Sequence, residues 1–188
     1  SYTLPAAGSV TIELVTKDGS RKALRGSLTV QAGEVIDASV MSAKALREFY
    51  AQQIADAKQK GVLFSLHLKA TMMKVSDPIL FGHAVSVLLS DVLQKHASVL
   101  DSIDFDPNNG LAELYSKLDT LPNVLRDAIV KDIQDCLASG PEIAMVDSDK
   151  GITNLHVPSD VIIDASVAAA IRVGGKMWGR DGKLHDTK

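Results

Sequence analysis

The stretch VLFSLHLKATMMKVSDP, residues 62–78, decides the fold predicted from this sequence. Its first seven residues are almost continuously apolar, which is typical of a strand covered on both faces of a parallel sheet. Lys69 ends that strand, a short loop follows, and Asp77 and Pro78 match the N-cap and first position of a helix. Because ligands bind just beyond the carboxyl ends of strands in parallel α/β sheets, Lys69 is a candidate catalytic residue.

Helices are predicted on both sides of this strand. Ser42 is a plausible N-cap, Gly61 a stop signal, and apolar residues between them recur on one helical face: Leu46, Phe49, Tyr50, Ile54 and Ala57. The helix that follows Pro78 has a buried stripe formed by Phe81, Val85, Leu88 and Val92. The pattern indicates alternating helices and strands from residue 42 onward.

The later part of the chain continues this alternation. A turn at residues 106–110 precedes helices near 111–118 and 122–137, and residues 143–146 form a candidate strand. A second apolar triplet, residues 161–163, leads to Asp164 and an alanine-rich helix that ends before Gly174.

The first forty residues differ from the rest. Residues 10–15 and 24–30 are predicted strands, and the Asp18-Gly19 turn between them favours a β-hairpin, with a third short strand near residues 35–38. The predicted fold class is therefore α/β, a mixed sheet with flanking helices, preceded by a β-hairpin layer. The predicted division is residues 1–40 for the hairpin layer and 41–188 for the α/β part.

Composition excludes several classes of protein. The chain has 188 residues, a formal net charge of −3 and one cysteine, Cys136. A slightly acidic chain is a poor partner for nucleic acid, and a single cysteine fits a reducing compartment. No apolar run is long enough to span a membrane, and the N-terminus lacks the pattern of a signal peptide. The sequence thus predicts a cytoplasmic or organellar protein without nucleic-acid or membrane partners.

Two residues are the main candidates for chemistry, and each has a simpler alternative. Lys69 could relay protons or pair with a carboxylate substrate, or it could be a solvated lysine at the end of a strand. Asp164 could be an oxygen ligand for Mg²⁺ or Mn²⁺, or it could be a helix N-cap. Lys74, in the loop after Lys69, is interpreted as a solvated or phosphate-facing residue, and Asp160 as a turn residue.

Other motifs are weak. Residues 147–151 resemble a calcium loop, but the glycine falls one place early and the closing glutamate is missing. The five histidines do not have zinc-ligand spacing. The glycines at 174–175 and 179–182 lack the spacing of a dinucleotide fingerprint and are interpreted as turns.

Several long segments resemble the monomeric type of NADP-dependent isocitrate dehydrogenase. They are residues 31–42, residues 67–83, residues 145–166, residues 175–179 and residues 181–188. By this resemblance the chain is an internal stretch of the large domain of an isocitrate/isopropylmalate dehydrogenase-like fold, incomplete at its C-terminus. The chain departs from the family at residues 167–170, Val-Ala-Ala-Ala, where bulkier residues including a proline are usual.

The resemblance also implies an activity. The family oxidises isocitrate with NADP⁺ and decarboxylates the product to 2-oxoglutarate, with a divalent metal, Mg²⁺ or Mn²⁺, acting as a Lewis acid. Lys69 then matches the catalytic lysine and Asp164 one of the metal-binding aspartates. Family members are several times longer and monomeric. Their substrate clamp, remaining metal ligands and NADP-binding residues lie outside this stretch, so the chain alone is expected to be inactive.

A non-catalytic role stays open as the alternative. An unpaired edge of the N-terminal hairpin is a template for strand addition, so the chain could be a folded interaction domain.

Overall fold

The computed structural model describes residues 1–68, 75–158, 171–172 and 174–187. The chain forms two compact units, residues 1–41 and residues 42–188. The predicted strand at 161–163 lies outside the described residues, and so does the predicted helix after Asp164 except for residues 171 and 172, which are helical. The division into domains at residues 1–40 and 41–188 stays a prediction.

The first unit contains four strands: β1 (Tyr2–Thr3), β2 (Gly8–Val15), β3 (Arg21–Val30) and β4 (Val35–Ile36). β2 and β3 pair in antiparallel register, which confirms the predicted hairpin. Gly19 adopts a φ of +83° in the connecting turn, a conformation that glycine reaches without steric cost. The predicted third strand exists as β4, and it pairs with β1 rather than with the hairpin.

Helices dominate the second unit. They are α1 (Ala43–Lys60), α2 (Ser76–Leu88), α3 (Ser90–Lys95), α4 (Ala97–Ser102), a 3₁₀ turn (Pro107–Asn109), α5 (Gly110–Leu118) and α6 (Asn123–Ser139). Both predicted ends of α1 are confirmed. The Ser42 hydroxyl accepts a hydrogen bond from the Ala45 N–H at 3.3 Å, and Gly61 closes the helix with a φ of +65°.

The predicted start of α2 is wrong by a short distance. The helix begins at Ser76 with Val75 in the N-cap position, where no side chain caps it. Asp77 is therefore inside the first turn, and only 9% of it is exposed. A carboxylate in the first helical turn interacts favourably with the helix dipole. Asp77 therefore stabilises the N-terminus of α2 although it is not the N-cap.

One large apolar cluster holds the helices together. The stripe predicted for the helix after Pro78 is fully part of it, although the structure divides that helix into α2 and α3. Buried residues from α5 and α6 also belong to it: Leu111, Leu114, Leu118, Ile129 and Ile133. The predicted face of α1 needs a correction at Phe49, which is 52% exposed, whereas Tyr50 and Ala57 are buried.

Short strands complete the second unit. β5 (Met145–Asp147) pairs with β6 (Ile152–Thr153), and β7 (Lys176–Trp178) pairs with β8 (Leu184–Asp186), both in antiparallel register. The predicted strand at 62–68 lies between these hairpins, and its bridges are parallel: Leu63 with Thr187 and Phe64 with Ile143. We call residues 62–68 the central strand, although only two of its residues form bridges.

Backbone hydrogen bonds join the central strand to the segments on either side of it. The Leu63 N–H donates to the Asp186 carbonyl at 3.0 Å, and the Phe64 N–H donates to the Glu142 carbonyl at 2.7 Å. The Ala144 N–H donates in turn to the Phe64 carbonyl at 2.9 Å. The fold is thus mixed α/β with small sheets. Among the described residues, no helix is both long and apolar enough to cross a membrane.

Candidate active-site cleft at the end of the central strand

A cleft of about 450 Å³ lies beside the carboxyl-terminal half of the central strand. Its walls come from α1, from the central strand and from the segments around β7 and β8: Phe49, Tyr50, Gln53, Phe64, Ser65, Leu66, His67, Leu68, Ile171, Gly175 and Thr187. The exposed Phe49 belongs to this wall, which accounts for its departure from the predicted core face. The cleft lies along the second half of a strand whose two bridges are parallel. Parallel α/β folds bind ligands near the carboxyl ends of such strands.

Two titratable groups in the wall favour their neutral forms. Burial raises the pKa of the Tyr50 phenol, and the negative charge of the nearby Asp77 raises that pKa further. Burial lowers the pKa of the His67 imidazole. A neutral phenol and a neutral imidazole can donate and accept hydrogen bonds without adding a charge to the cleft.

Asn154 forms hydrogen bonds to the part of the central strand that lines the cleft. It is 2% exposed, and its side-chain amide donates to the Ser65 hydroxyl at 2.9 Å and to the Leu66 carbonyl at 3.2 Å. Its backbone N–H donates to the Ala144 carbonyl at 2.9 Å. Its buried amide oxygen has no hydrogen-bond partner within the described ranges.

The segment after Asn154 joins the strands to the helices. The Leu155 and His156 carbonyls accept hydrogen bonds from the Leu111 and Ala112 N–H groups, which begin α5. These bonds satisfy two of the N–H groups that a helix leaves unpaired at its start. Gly110 is required at this contact, because an added Cβ would lie 2.2 Å from the His156 carbonyl oxygen.

The predicted catalytic and metal-binding residues cannot be placed by this geometry. Lys69 follows Leu68 in the sequence, but Lys69, Lys74, Asp160 and Asp164 all lie outside the described residues. Their roles stay predictions.

Sequence reasoning missed Asp77 and Asn154 as parts of this region. Asp77 was assigned only to a helix cap, and no local pattern distinguishes Asn154 from an ordinary turn residue. The sequence did place Tyr50 on an inward face, but it gave no sign that Tyr50 borders a cleft.

The described residues do not fit a complete metal site. They include no group of three or more His, Cys, Asp or Glu side chains that could hold a metal ion. The turn that resembles a calcium loop is held by an ion pair instead, with Asp147 Oδ2 lying 3.2 Å from Lys150 Nζ. Two of the histidines also have acidic partners: His96 lies 2.6 Å from Asp132, and His185 lies 2.8 Å from Asp181.

The fold and the cleft define a mixed α/β protein with a ligand-sized cavity beside the end of a parallel strand. Comparison with known proteins narrows this class. Residues 1–188 match the sequence profile of the family described as monomeric isocitrate dehydrogenase, and the chain belongs to this family. The resemblance found in the sequence is thereby confirmed.

Three relatives illustrate the similarity. The chain is 62% identical over 183 residues to a protein from Azotobacter vinelandii named isocitrate dehydrogenase (NADP), which covers 97% of the chain. It is 55% identical over 188 residues to isocitrate dehydrogenase (NADP) 2 of Colwellia maris. It is 52% identical over 188 residues to the protein of the same name from Mycobacterium tuberculosis. The matched region is all or nearly all of this chain but only 25% of each relative's length.

Proposed function

We propose that this chain is part of an NADP-dependent isocitrate dehydrogenase. The observation that carries the proposal is the 62% identity over nearly the whole chain to a protein of that name. In the proposed reaction the hydroxyl-bearing carbon of isocitrate transfers a hydride to NADP⁺, and the hydroxyl proton leaves. The resulting keto acid then loses CO₂, and the enolate that remains takes up a proton to give 2-oxoglutarate. NADPH is the other product.

Lys69 is the proposed catalytic residue. In the sequence it immediately follows Leu68, which lines the cleft and belongs to the central strand. A lysine amine can exchange a proton with the substrate hydroxyl when its pKa is tuned by its surroundings. The described part of the cleft wall next to Leu68 is largely apolar, and surroundings of low polarity favour such tuning.

Asp164 is the proposed ligand of a divalent metal, Mg²⁺ or Mn²⁺. In this proposal the remaining metal ligands lie in other parts of the enzyme, as the resemblance implies. The same holds for most of the residues that bind NADP. The chain corresponds in this proposal to a piece of the large domain, of the kind found in isocitrate and isopropylmalate dehydrogenases.

We also propose an oligomeric state, a compartment and a metabolic role for the enzyme. The enzyme acts as a monomer in the cytoplasm and serves the tricarboxylic acid cycle and the glyoxylate bypass. The chain by itself is inactive, because a catalytic constellation works only when its groups are held within fractions of an ångström. Family membership favours this function over the alternative of a non-catalytic interaction domain.

The decisive experiment measures NADPH formation from isocitrate and NADP⁺ with Mn²⁺. It compares the enzyme that contains this chain with its Lys69→Met variant and with the chain alone. Lys58→Met is the matched control, because Lys58 is an exposed lysine of α1. We expect Lys69→Met to lower kcat by about 10²–10⁴-fold, the control to keep its activity and the chain alone to be inactive. Full activity of Lys69→Met would refute the assignment of Lys69, and an inactive parent enzyme would refute the function.

A further inference from the structure

The hydrogen bonds around Asn154 interrupt a regular parallel ladder. Phe64 bonds to residues on both sides of Ile143, through its N–H to Glu142 and through its carbonyl to Ala144. In a parallel ladder the next residue to pair on the central strand is two positions further on. Leu66 would then donate to the Ala144 carbonyl and accept from the Val146 N–H.

Asn154 occupies both of those positions. Its backbone N–H donates to the Ala144 carbonyl at 2.9 Å, in place of the Leu66 N–H. Its side-chain amide donates to the Leu66 carbonyl at 3.2 Å, in place of the Val146 N–H. The same amide donates to the Ser65 hydroxyl at 2.9 Å. A single buried asparagine thus ends the pairing of the two strands and binds each of them.

We propose that Asn154 is a positioning residue that separates the central strand from β5 and holds the freed strand end against the cleft. This inference rests on the proposed function for its catalytic consequence, because Ser65 and Leu66 line the cleft and Lys69 follows Leu68 in the sequence. Leu66 and Leu68 also pack against the apolar cluster, and the Asn154 amide adds a directional hydrogen bond that fixes the backbone at Leu66. The buried amide oxygen of Asn154 has no hydrogen-bond partner among the described residues. Burying a polar atom in this way is costly, so the amide donors are what this side chain contributes.

The test uses Asn154→Asp in the enzyme that contains this chain. The substitution keeps the size of the side chain but replaces the amide donor with a carboxylate oxygen that faces the Leu66 carbonyl. Asn123→Asp is the matched control, because Asn123 is exposed at the start of α6. Ser65→Ala is a milder second variant, which removes one acceptor of Asn154 and preserves the fold if Asn154→Asp does not.

Two measurements are made on each variant. The first is amide hydrogen exchange of the peptide that covers residues 62–68. The second is steady-state kinetics well below the unfolding temperature, which gives kcat and the KM values for isocitrate and for NADP⁺. We expect Asn154→Asp to accelerate exchange in that peptide and to lower kcat by roughly 10- to 100-fold, since small misplacements of reacting groups have effects of this size. We expect Ser65→Ala to show the same changes to a smaller degree, and KM for NADP⁺ to stay unchanged.

The outcomes separate the possible roles. If amide exchange in residues 62–68 is as slow in both variants as in the unsubstituted protein, Asn154 does not hold the strand end, and the proposal is overturned. Faster exchange throughout the protein, together with unchanged kcat of the folded fraction, would overturn the positioning role and leave a purely structural one. If the parent enzyme has no isocitrate dehydrogenase activity, the proposed function fails, whereas the exchange measurement still decides whether Asn154 holds the strand end.

Discussion

Gly82 lies where α2 makes its closest approach to the 3₁₀ turn. A Cβ added there would lie 1.9 Å from the Asn108 side-chain oxygen and 2.9 Å from the Asn108 backbone nitrogen. The side chain can rotate away, but the backbone is fixed because its N–H donates to Asp106 Oδ1 at 2.9 Å. Gly82→Ala therefore forces α2 away from the turn, or distorts the turn itself.

The expected magnitude combines two opposing terms. Overpacking in a close-packed region costs about 1–3 kcal/mol, whereas replacing glycine by alanine inside a helix stabilises it by about 1 kcal/mol. Because the backbone nitrogen cannot move aside, the cost lies in the upper part of that range, about 2–3 kcal/mol, so we expect a net loss of about 1–2 kcal/mol in the free energy of unfolding. In a protein of this size that corresponds to a decrease in Tm of about 2–8 °C.

The assay is urea unfolding followed by circular dichroism, in which a lower midpoint with an unchanged slope reports a change in stability. Gly140→Ala is the control, because the nearest atom to its added Cβ is 3.6 Å away. We expect the control to stay within about 0.5 kcal/mol of the unsubstituted protein. A Gly82→Ala protein as stable as the control, or more stable, would refute the close approach of α2 to the turn.

Three further predictions concern titrating side chains. Hydrogen bonds from Ser20 and Thr16 lower the pKa of Asp18 to about 2, so NMR titration should show this low value, and Ser20→Ala should raise it. Hydrogen bonds from Lys95 and then His96 lower the pKa of Asp132 in the folded protein. The resulting stabilisation relative to Asp132→Asn should be complete above about pH 4 and disappear as the pH falls through the lowered pKa, which urea midpoints at several pH values will test. Burial, and then Asp91, raise the pKa of the Cys136 thiol, so alkylation at neutral pH should be slower than that of a free cysteine and should accelerate on unfolding.

The features that the sequence predicted correctly depend on local chemistry. The ends of α1 follow from a serine that caps N–H groups and a glycine that adopts a left-handed conformation, and both act within one turn of the helix. The β2–β3 hairpin follows in the same way from its Asp-Gly turn. These signals are complete within a few residues of sequence, so tertiary packing did not change them.

The features that the sequence could not predict depend on distant residues. Aspartate is a residue type that often caps helices, which is what the sequence predicts for Asp77. Its burial near Tyr50 comes instead from the packing of α2 against α1. The apolar run at 62–68 predicts a strand of that length, whereas regular pairing stops after Phe64 because Asn154, far along the chain, takes the next position. Phe49 fits the apolar period of α1 and is nevertheless half exposed, because the cleft lies beside it.

The parallel bridges of the central strand have a consequence for biosynthesis. Its partners are Ile143 and Thr187, so the segment around Leu63 leaves the ribosome long before either partner has been made. Bringing such distant segments together is slow, and an apolar strand is prone to aggregate until its partners are in place. Helices α1 to α6, whose contacts are closer in sequence, can form and pack earlier. The central strand is therefore among the last parts of this unit to complete its strand pairing.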